Sequence, residues 1–480
     1  MDRRGFLRLS AGLAAMAPRA RADAPPIRVS LRPRQTGNAI AADFTGLSYE
    51  TAQLANPHFF SAENTQLIGF VRRLGTRGVL RTGGNTSAFS VWTAEPPPDA
   101  PSPDEAVGPD TGRQAAPHRP VTPAAIRNLR EFLDAAGWTL IYGLNMGGEG
   151  PEVAAAEAEF VMRTMGPKLI AFQLCNEPDL FHRNGVRRPD YDFRQFAREW
   201  RRYFDAVRRR VPKAPFAGPD TAYNNDWLLP FAKMFKREVA FLSQHYYAEG
   251  PPSDPAMTIE RLLRPAARLE GELAGMAQTC RDTGLCFRMA ETNSCYGGGK
   301  QFVSDTYASA LWGAELMFKL AAAGGSGINF HGGGYGWYTP VAGAPARGFL
   351  ARPLYYGMLL FAEAGPGALA AADTEGATDA PLLSVYGLRD ASGALKLAAF
   401  NKHADRDFTL LVDPGTPAAT ASAMRLVAPR LDDTADVTFA GAPVGPTGDW
   451  SPLIVENLAL AGGLASLSLP RASAALIRFA

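Results

Sequence analysis

The chain has 480 residues, enough to bury a large core and to divide into one big domain and a smaller companion. Hydrophobic residues make up 46% and charged residues 20%, which excludes a disordered or collagen-like chain and leaves a globular enzyme or binding protein. The formal net charge is +2, and the four cysteines are too few for a disulfide scaffold and lack zinc-type spacing, so neither a metal nor a cofactor is implied.

In chain order, Arg3-Arg4-Gly5-Phe6-Leu7 followed by an apolar stretch over 9–17 reads as a twin-arginine export leader spanning 1–22, which predicts a periplasmic or secreted protein. The apolar run is shorter than the roughly 20 residues needed to cross a bilayer, so no lasting membrane anchor is expected. Losing 1–22 removes five arginines and one aspartate and turns +2 into a formal −2. A nearly neutral mature chain has no general attraction for polyanions, so nucleic acid is not an expected partner.

The run 27–36 reads as a strand that joins a β-domain at the far end of the chain. From 40 to 364, short apolar runs at 43–49, 79–82, 139–144, 168–174, 216–218, 239–245, 286–290 and 327–330 alternate with amphipathic stretches at 65–74, 123–136, 153–165, 192–209, 227–236, 259–283 and 304–323. Eight strands alternating with helices predict an α/β fold of the (β/α)₈ TIM-barrel type. The stretch 94–120, rich in Pro, Asp and Ala, reads as an insertion after the second strand with no regular element. Residues 365–480 change to Val, Leu and Thr runs broken by Gly, Pro and Asp, with strands at 382–389, 395–401, 408–412 and 474–479, and predict a C-terminal β-sandwich domain.

Two barrel strands end in glutamates. The apolar run 168–174 leads into Asn176-Glu177-Pro178, where proline stops the ladder and leaves Glu177 at the strand's C-terminal end, the end that carries chemistry in such barrels. The run 286–290 leads into Glu291. By count these are strands four and seven, and two carboxylates on one rim suit glycoside hydrolysis, which needs a proton on the leaving oxygen and electron density at the developing oxocarbenium carbon. A retaining enzyme places the pair about 5–5.5 Å apart, with Glu291 as nucleophile and Glu177 as acid/base. Asn176 is then placed to hydrogen-bond the sugar's 2-hydroxyl. Cys175 and Cys295 beside the pair read as packing thiols, whereas Cys280 and Cys286 are spaced either to close a short disulfide loop or to remain thiols.

With Gln244-His245-Tyr246-Tyr247, the run from Ala290 through Glu291 and Tyr296 to Gly299, and Arg81-Thr82-Gly83-Gly84-Asn85, the chain resembles glycoside hydrolase family 79, the family of β-glucuronidases and heparanase. The resemblance implies a β-linked glucuronic acid in the subsite between the glutamates and a glucuronide-containing oligosaccharide or glycoconjugate as substrate. Its C6 carboxylate would be bound by Tyr296, the backbone at Gly297 and Gly298, and Tyr338, with Tyr335 as the rival for the last role. Tyr247 would orient Glu291, and Ser48, Glu50 and Asn85 would line the hydroxyl edge. Because no run of Lys and Arg flanks the expected cleft, exo-hydrolysis of a terminal β-glucuronide is preferred to heparanase-like internal cleavage. A neutral-sugar retaining glycosidase of the same clan and a secreted, non-catalytic carbohydrate-binding protein are the competing readings.

Overall fold

The computed structural model describes residues 25–95, 119–222, 225–376 and 380–480. The stretch 1–22, read as an export leader, and most of the 94–120 stretch lie outside the described residues.

Eight parallel strands close into a barrel: β1 (Thr45–Glu50), β2 (Val79–Gly83), β3 (Thr139–Gly143), β4 (Leu169–Gln173), β5 (Phe216–Thr221), β6 (Phe241–Glu249), β7 (Phe287–Cys295) and β8 (Ile328–Gly332). β8 pairs with β1 from Ile328 opposite Thr45 to Gly332 opposite Tyr49, which completes the ring. Local signals fix the surrounding helices. Pro123–Ala136 starts on a Thr122 cap with proline in its first turn and stops at left-handed Gly137, and Phe193–Arg210 starts on a capping box made by Asp192 and Gln195.

Three elements depart from the sequence reading. The amphipathic stretch 259–283 is two helices, Ile259–Leu263 and Ala267–Thr283, because Pro265 cannot continue the first. Arg119–Val121, at the end of the stretch read as irregular, is a short strand parallel to Ser90–Trp92. Pro353–Ala364 is a helix that the barrel reading lacked. Its residues from Pro353 through Phe361 are all buried, so it shows no polar face for helical periodicity to mark.

The second domain is one eleven-stranded sheet rather than two separate ones. Ile27–Ile40 lies inside it, antiparallel to Gly367–Glu375 and parallel to Phe408–Asp413, so both parts of the chain that flank the barrel build this unit. The sheet curls so that Ile27, Val29 and Leu31 share a buried core with Leu397, Leu410, Leu467 and Ile477, giving a sandwich-like interior. Alternation then sorts each strand. Leu397 and Ala399 face that interior, while Ala398 and Phe400 face the barrel's helices.

Between barrel and sheet lie Pro353–Ala364 and Tyr307–Ala322. Phe318 stacks on Tyr386 with ring centroids 5.1 Å apart, and the Tyr307 hydroxyl donates to the Leu426 carbonyl at 2.6 Å. Lys402 of the sheet forms a buried ion pair with Glu315 of the barrel. Removing one partner of such a pair leaves an uncompensated charge. Lys402→Met is therefore expected to lower stability by about 3–5 kcal/mol, and Lys402→Met combined with Glu315→Leu to recover most of the loss, measured by thermal and denaturant unfolding. A single substitution that leaves the unfolding midpoint unchanged would show that this pair does not join the domains.

Candidate active site

The barrel's C-terminal rim collects Glu177 from beyond β4, Asp220 from β5, His245 and Tyr247 from β6, Glu291 from β7 and His331 from β8 around one guanidinium, that of Arg81 on β2. Arg81 is fully buried. Its five N–H groups all have acceptors: Nε donates to Gln173 (2.7 Å), Nη1 to Ser48 (3.0 Å) and Glu291 Oε2 (2.5 Å), and Nη2 to Asn176 (2.8 Å) and Asp220 Oδ2 (2.7 Å).

Glu177 and Glu291 meet across this network. An oxygen of each and a ring nitrogen of His245 lie within 4.8 Å of one another. Glu177 Oε1 is 3.0 Å from His245 Nδ1, and Asp220 Oδ1 is 3.1 Å from His245 Nε2, so the imidazole bridges two carboxylates. Burial disfavours a charged imidazolium, but Asp220 and Glu291 outweigh it and raise the His245 pKa to about 10. A protonated ring donating from both nitrogens to Glu177 and Asp220 suits proton handling.

The two glutamates are driven apart electrostatically. Burial pushes the Glu177 carboxyl up to about 7, helped by the charge of Glu291 and opposed by His245. For Glu291 burial also works against ionisation, but His331, His245 and Arg81 outweigh it and hold the carboxyl well below the usual range. At neutral pH one is a buried acid near its midpoint and the other a fixed anion. Glu177 and Asp220 are also held at positive φ, 50° and 64°, a conformation that costs of order 1–3 kcal/mol in a non-glycine residue and recurs at functional sites.

A cavity of about 950 Å³ opens above the pair and is bordered by Asn85, Asn176, Glu177, Tyr247, Glu291 and Tyr296 among the residues singled out from sequence. The Tyr247 hydroxyl donates to Glu291 Oε1 at 2.7 Å. The others lie deeper or farther out. Ser48 does not face the cavity, since its hydroxyl is engaged by Arg81 and by His331 at 2.9 Å, and Glu50 accepts from the backbone and hydroxyl of Thr86. Tyr338 is buried beside Tyr247 and His331, with centroids 6.1 and 6.2 Å away, whereas Tyr335 is exposed and its carbonyl accepts from Arg352. Gly297 and Gly298 sit at φ of 81° and 83°, and the Gly298 carbonyl accepts from Trp337 N–H at 2.7 Å, which ties the loop after β7 to the loop after β8.

Sequence reasoning missed Gln173, Asp220 and His331. It also missed cations at the cleft, because Arg183, Arg261 and Arg268 border the cavity although no basic run marks them. Cys280 and Cys286 stand as free thiols, which leaves no disulfide between them, and Cys175 and Cys295 are buried.

No family profile matches the chain. It is 23% identical over 318 residues to a β-glucuronidase of Aspergillus niger, covering 59% of this chain and 54% of that protein. It is 23% identical over 345 residues to a β-glucuronidase of Neurospora crassa, covering 64% of this chain and 59% of that protein. The chain thus spans little more than half the length of the curated relatives it matches. Its structure is similar to that of a 4-O-α-L-rhamnosyl-β-D-glucuronidase from Fusarium oxysporum 12S, with a TM-score of 0.73 and 17% identity over 95% of this chain and 99% of that one. It is also similar to an arabinofuranosidase from Xanthomonas axonopodis pv. citri, with a TM-score of 0.66 and 15% identity over 95% and 100%. In fold, then, the chain is a TIM barrel with an attached β-domain, the architecture of these glycosidases.

Proposed function

We propose that the protein is a retaining exo-β-glucuronidase in which Glu291 is the nucleophile and Glu177 the acid/base. The observation that carries this reading is the buried pair itself, with carboxylate oxygens within 4.8 Å and pKa values displaced in opposite directions. Oxygens this close support the separation of about 5–5.5 Å of a retaining pair over the about 6.5–9.5 Å of an inverting one. In this mechanism Glu291 attacks the anomeric carbon and displaces the leaving oxygen, which takes the proton of Glu177. Glu177 then removes a proton from the water that releases the sugar from Glu291. Arg81 and Tyr247 hold the nucleophile in position and keep it ionised. His245 keeps one oxygen of Glu177 engaged and leaves the other for the transferable proton.

Glucuronide specificity is supported by the two β-glucuronidase relatives and by the phenols beside the nucleophile. Tyr247 bonds Glu291, and the rings of Tyr296 and Tyr338 stand 6.5 and 6.1 Å from that of Tyr247. Phenol hydroxyls and the amides of the glycine loop bind a C6 carboxylate without an arginine. Exo action is supported by closure on the β8 and β1 side, where Ser48, Glu50, His331 and Tyr338 are all buried. We further propose that the twin-arginine leader exports the protein, so that its substrates are glucuronides outside the cytoplasm.

Comparing 4-nitrophenyl β-glucuronide with the matching glucoside and xyloside tests the sugar. We expect the glucuronide to be favoured at least about 100-fold in kcat/KM, since a site built to bind a polar group rejects analogues lacking it. A neutral glycoside turned over faster would overturn the assignment, and proton NMR of the first product formed must show the β-anomer.

The pH profile tests the roles. Glu177 must carry its proton, so kcat/KM is expected to fall as pH rises through about 7. Glu291 must be ionised, so the acid limb is expected below the ordinary carboxylate range. For Glu177→Gln the alkaline limb near 7 is expected to vanish. If that limb persists in the variant, another group sets it.

A further inference from the structure

Beyond β4 the chain turns outward to present Glu177, and the turn breaks the sheet's hydrogen-bond pattern. β4 and β5 pair in parallel with Gln173 opposite Ala217. The same register carried four residues on puts Glu177 opposite Thr221. A parallel ladder would then join Glu177 N–H to the Asp220 carbonyl and Ala222 N–H to the Glu177 carbonyl. The first bond is made, at 2.9 Å. The second is not, because Glu177 stands at φ 50° and ψ 54° and its carbonyl accepts from Leu180 N–H at 2.9 Å, across the short 3₁₀ turn Pro178–Leu180.

This leaves the N–H of the buried Ala222 without its ladder partner, and Asp179 supplies the substitute. Its Oδ1 accepts from Ala222 N–H at 2.9 Å, and Asp179 is itself buried. A left-handed non-glycine residue persists only where its surroundings fix it. Here one bond from Glu177 N–H and one to the Asp179 carboxylate clasp the turn to β5 on both sides of Pro178. Truncating Asp179 would leave a buried donor unpaired and free the turn from β5.

We propose that Asp179 is the positioning residue of the acid/base: by closing the β4–β5 ladder beyond the turn, it fixes where the Glu177 carboxyl stands. Asp179 does not border the cavity, so it acts through Glu177 alone. The proposal rests on the retaining reading above. The charge of Asp179 gives it a second readout. The charged groups that face Glu177 are His245 from β6, Glu291 from β7 and Asp179 on its own turn, with the Asp220 and Arg81 pair behind them. Like Glu291, Asp179 disfavours an ionised Glu177.

The test compares methyl β-glucuronide, whose leaving group needs a proton, with the 2,4-dinitrophenyl glucuronide, whose leaving group needs little acid help. For Asp179→Ala, kcat/KM is expected to fall at least about 10-fold more on the methyl than on the dinitrophenyl substrate, the order of loss from a misplaced catalytic group. Asp179→Asn keeps an acceptor oxygen for Ala222 N–H but not the charge. It is expected to restore most of the methyl activity well below the alkaline limb, and to move that limb from near 7 to lower pH, since a lost neighbouring anion eases ionisation of Glu177. Equal losses on both substrates in Asp179→Ala, no recovery in Asp179→Asn, or a limb that Asp179→Asn leaves in place would each overturn the proposal. Should Asp179→Ala not fold, the limb of Asp179→Asn decides. Glu177→Gln separates this proposal from the reading beneath it. Equal losses on both substrates in Glu177→Gln would contradict the acid/base assignment, whereas leaving-group selectivity there without any in Asp179→Ala would contradict only the role of Asp179.

Discussion

The buried guanidinium of Arg81 is the constraint around which the barrel's chemistry is arranged. A cation removed from water is tolerable only when its donors are matched, and here five N–H groups meet acceptors on Ser48, Gln173, Asn176, Asp220 and Glu291. Because those acceptors belong to β1, the β4 edge, β5 and β7, one side chain fixes the separation of strands that are far apart in the chain. It also keeps Glu291 ionised. Asp220, held by the same guanidinium, keeps His245 charged, and His245 in turn bonds Glu177. The opposite displacements of the two glutamates are therefore one electrostatic arrangement and not two local accidents.

The scaffold protects this arrangement by burying what surrounds it. The helices Tyr307–Ala322 and Pro353–Ala364 lie between the barrel and the curled sheet, so β8 and its loop are backed by two layers. Glu50, His331 and Tyr338 are buried on one side of the site. The other end, over Glu177, is walled by loops and stays open.

Much of this was legible in the sequence because the signals were local. Each barrel strand is a short apolar run, and Glu177 and Glu291 announce themselves by ending such runs, one of them before a proline. The resemblance to glucuronidases likewise rested on contiguous residues around Tyr247 and Tyr296. What escaped was non-local or unmarked. Asp220, Gln173 and His331 are single polar residues whose meaning appears only once β2 brings Arg81 among them. Pro353–Ala364 is apolar on every side because it is sandwiched, so no periodicity flags it. The strands Gly367–Glu375, Ala421–Val427 and Leu464–Leu469 are rich in alanine and serine and lack the β-branched signature, yet they complete the sheet. The resemblance put Ser48 and Glu50 at the sugar's hydroxyl edge, but Arg81, His331 and Thr86 claim their polar atoms first.

The central claim is that Glu291 forms the covalent bond to the sugar and Glu177 moves the proton. Intact-mass and peptide mapping of Glu177→Gln, reacted with a glucuronide of an acidic phenol, tests it most directly. The account predicts a trapped adduct of one glucuronosyl unit on the peptide carrying Glu291, because departure of the phenol needs little acid help while hydrolysis of the intermediate lacks its base. An adduct on a peptide without Glu291 would contradict it, as would turnover by Glu291→Gln at the rate of the unmodified protein.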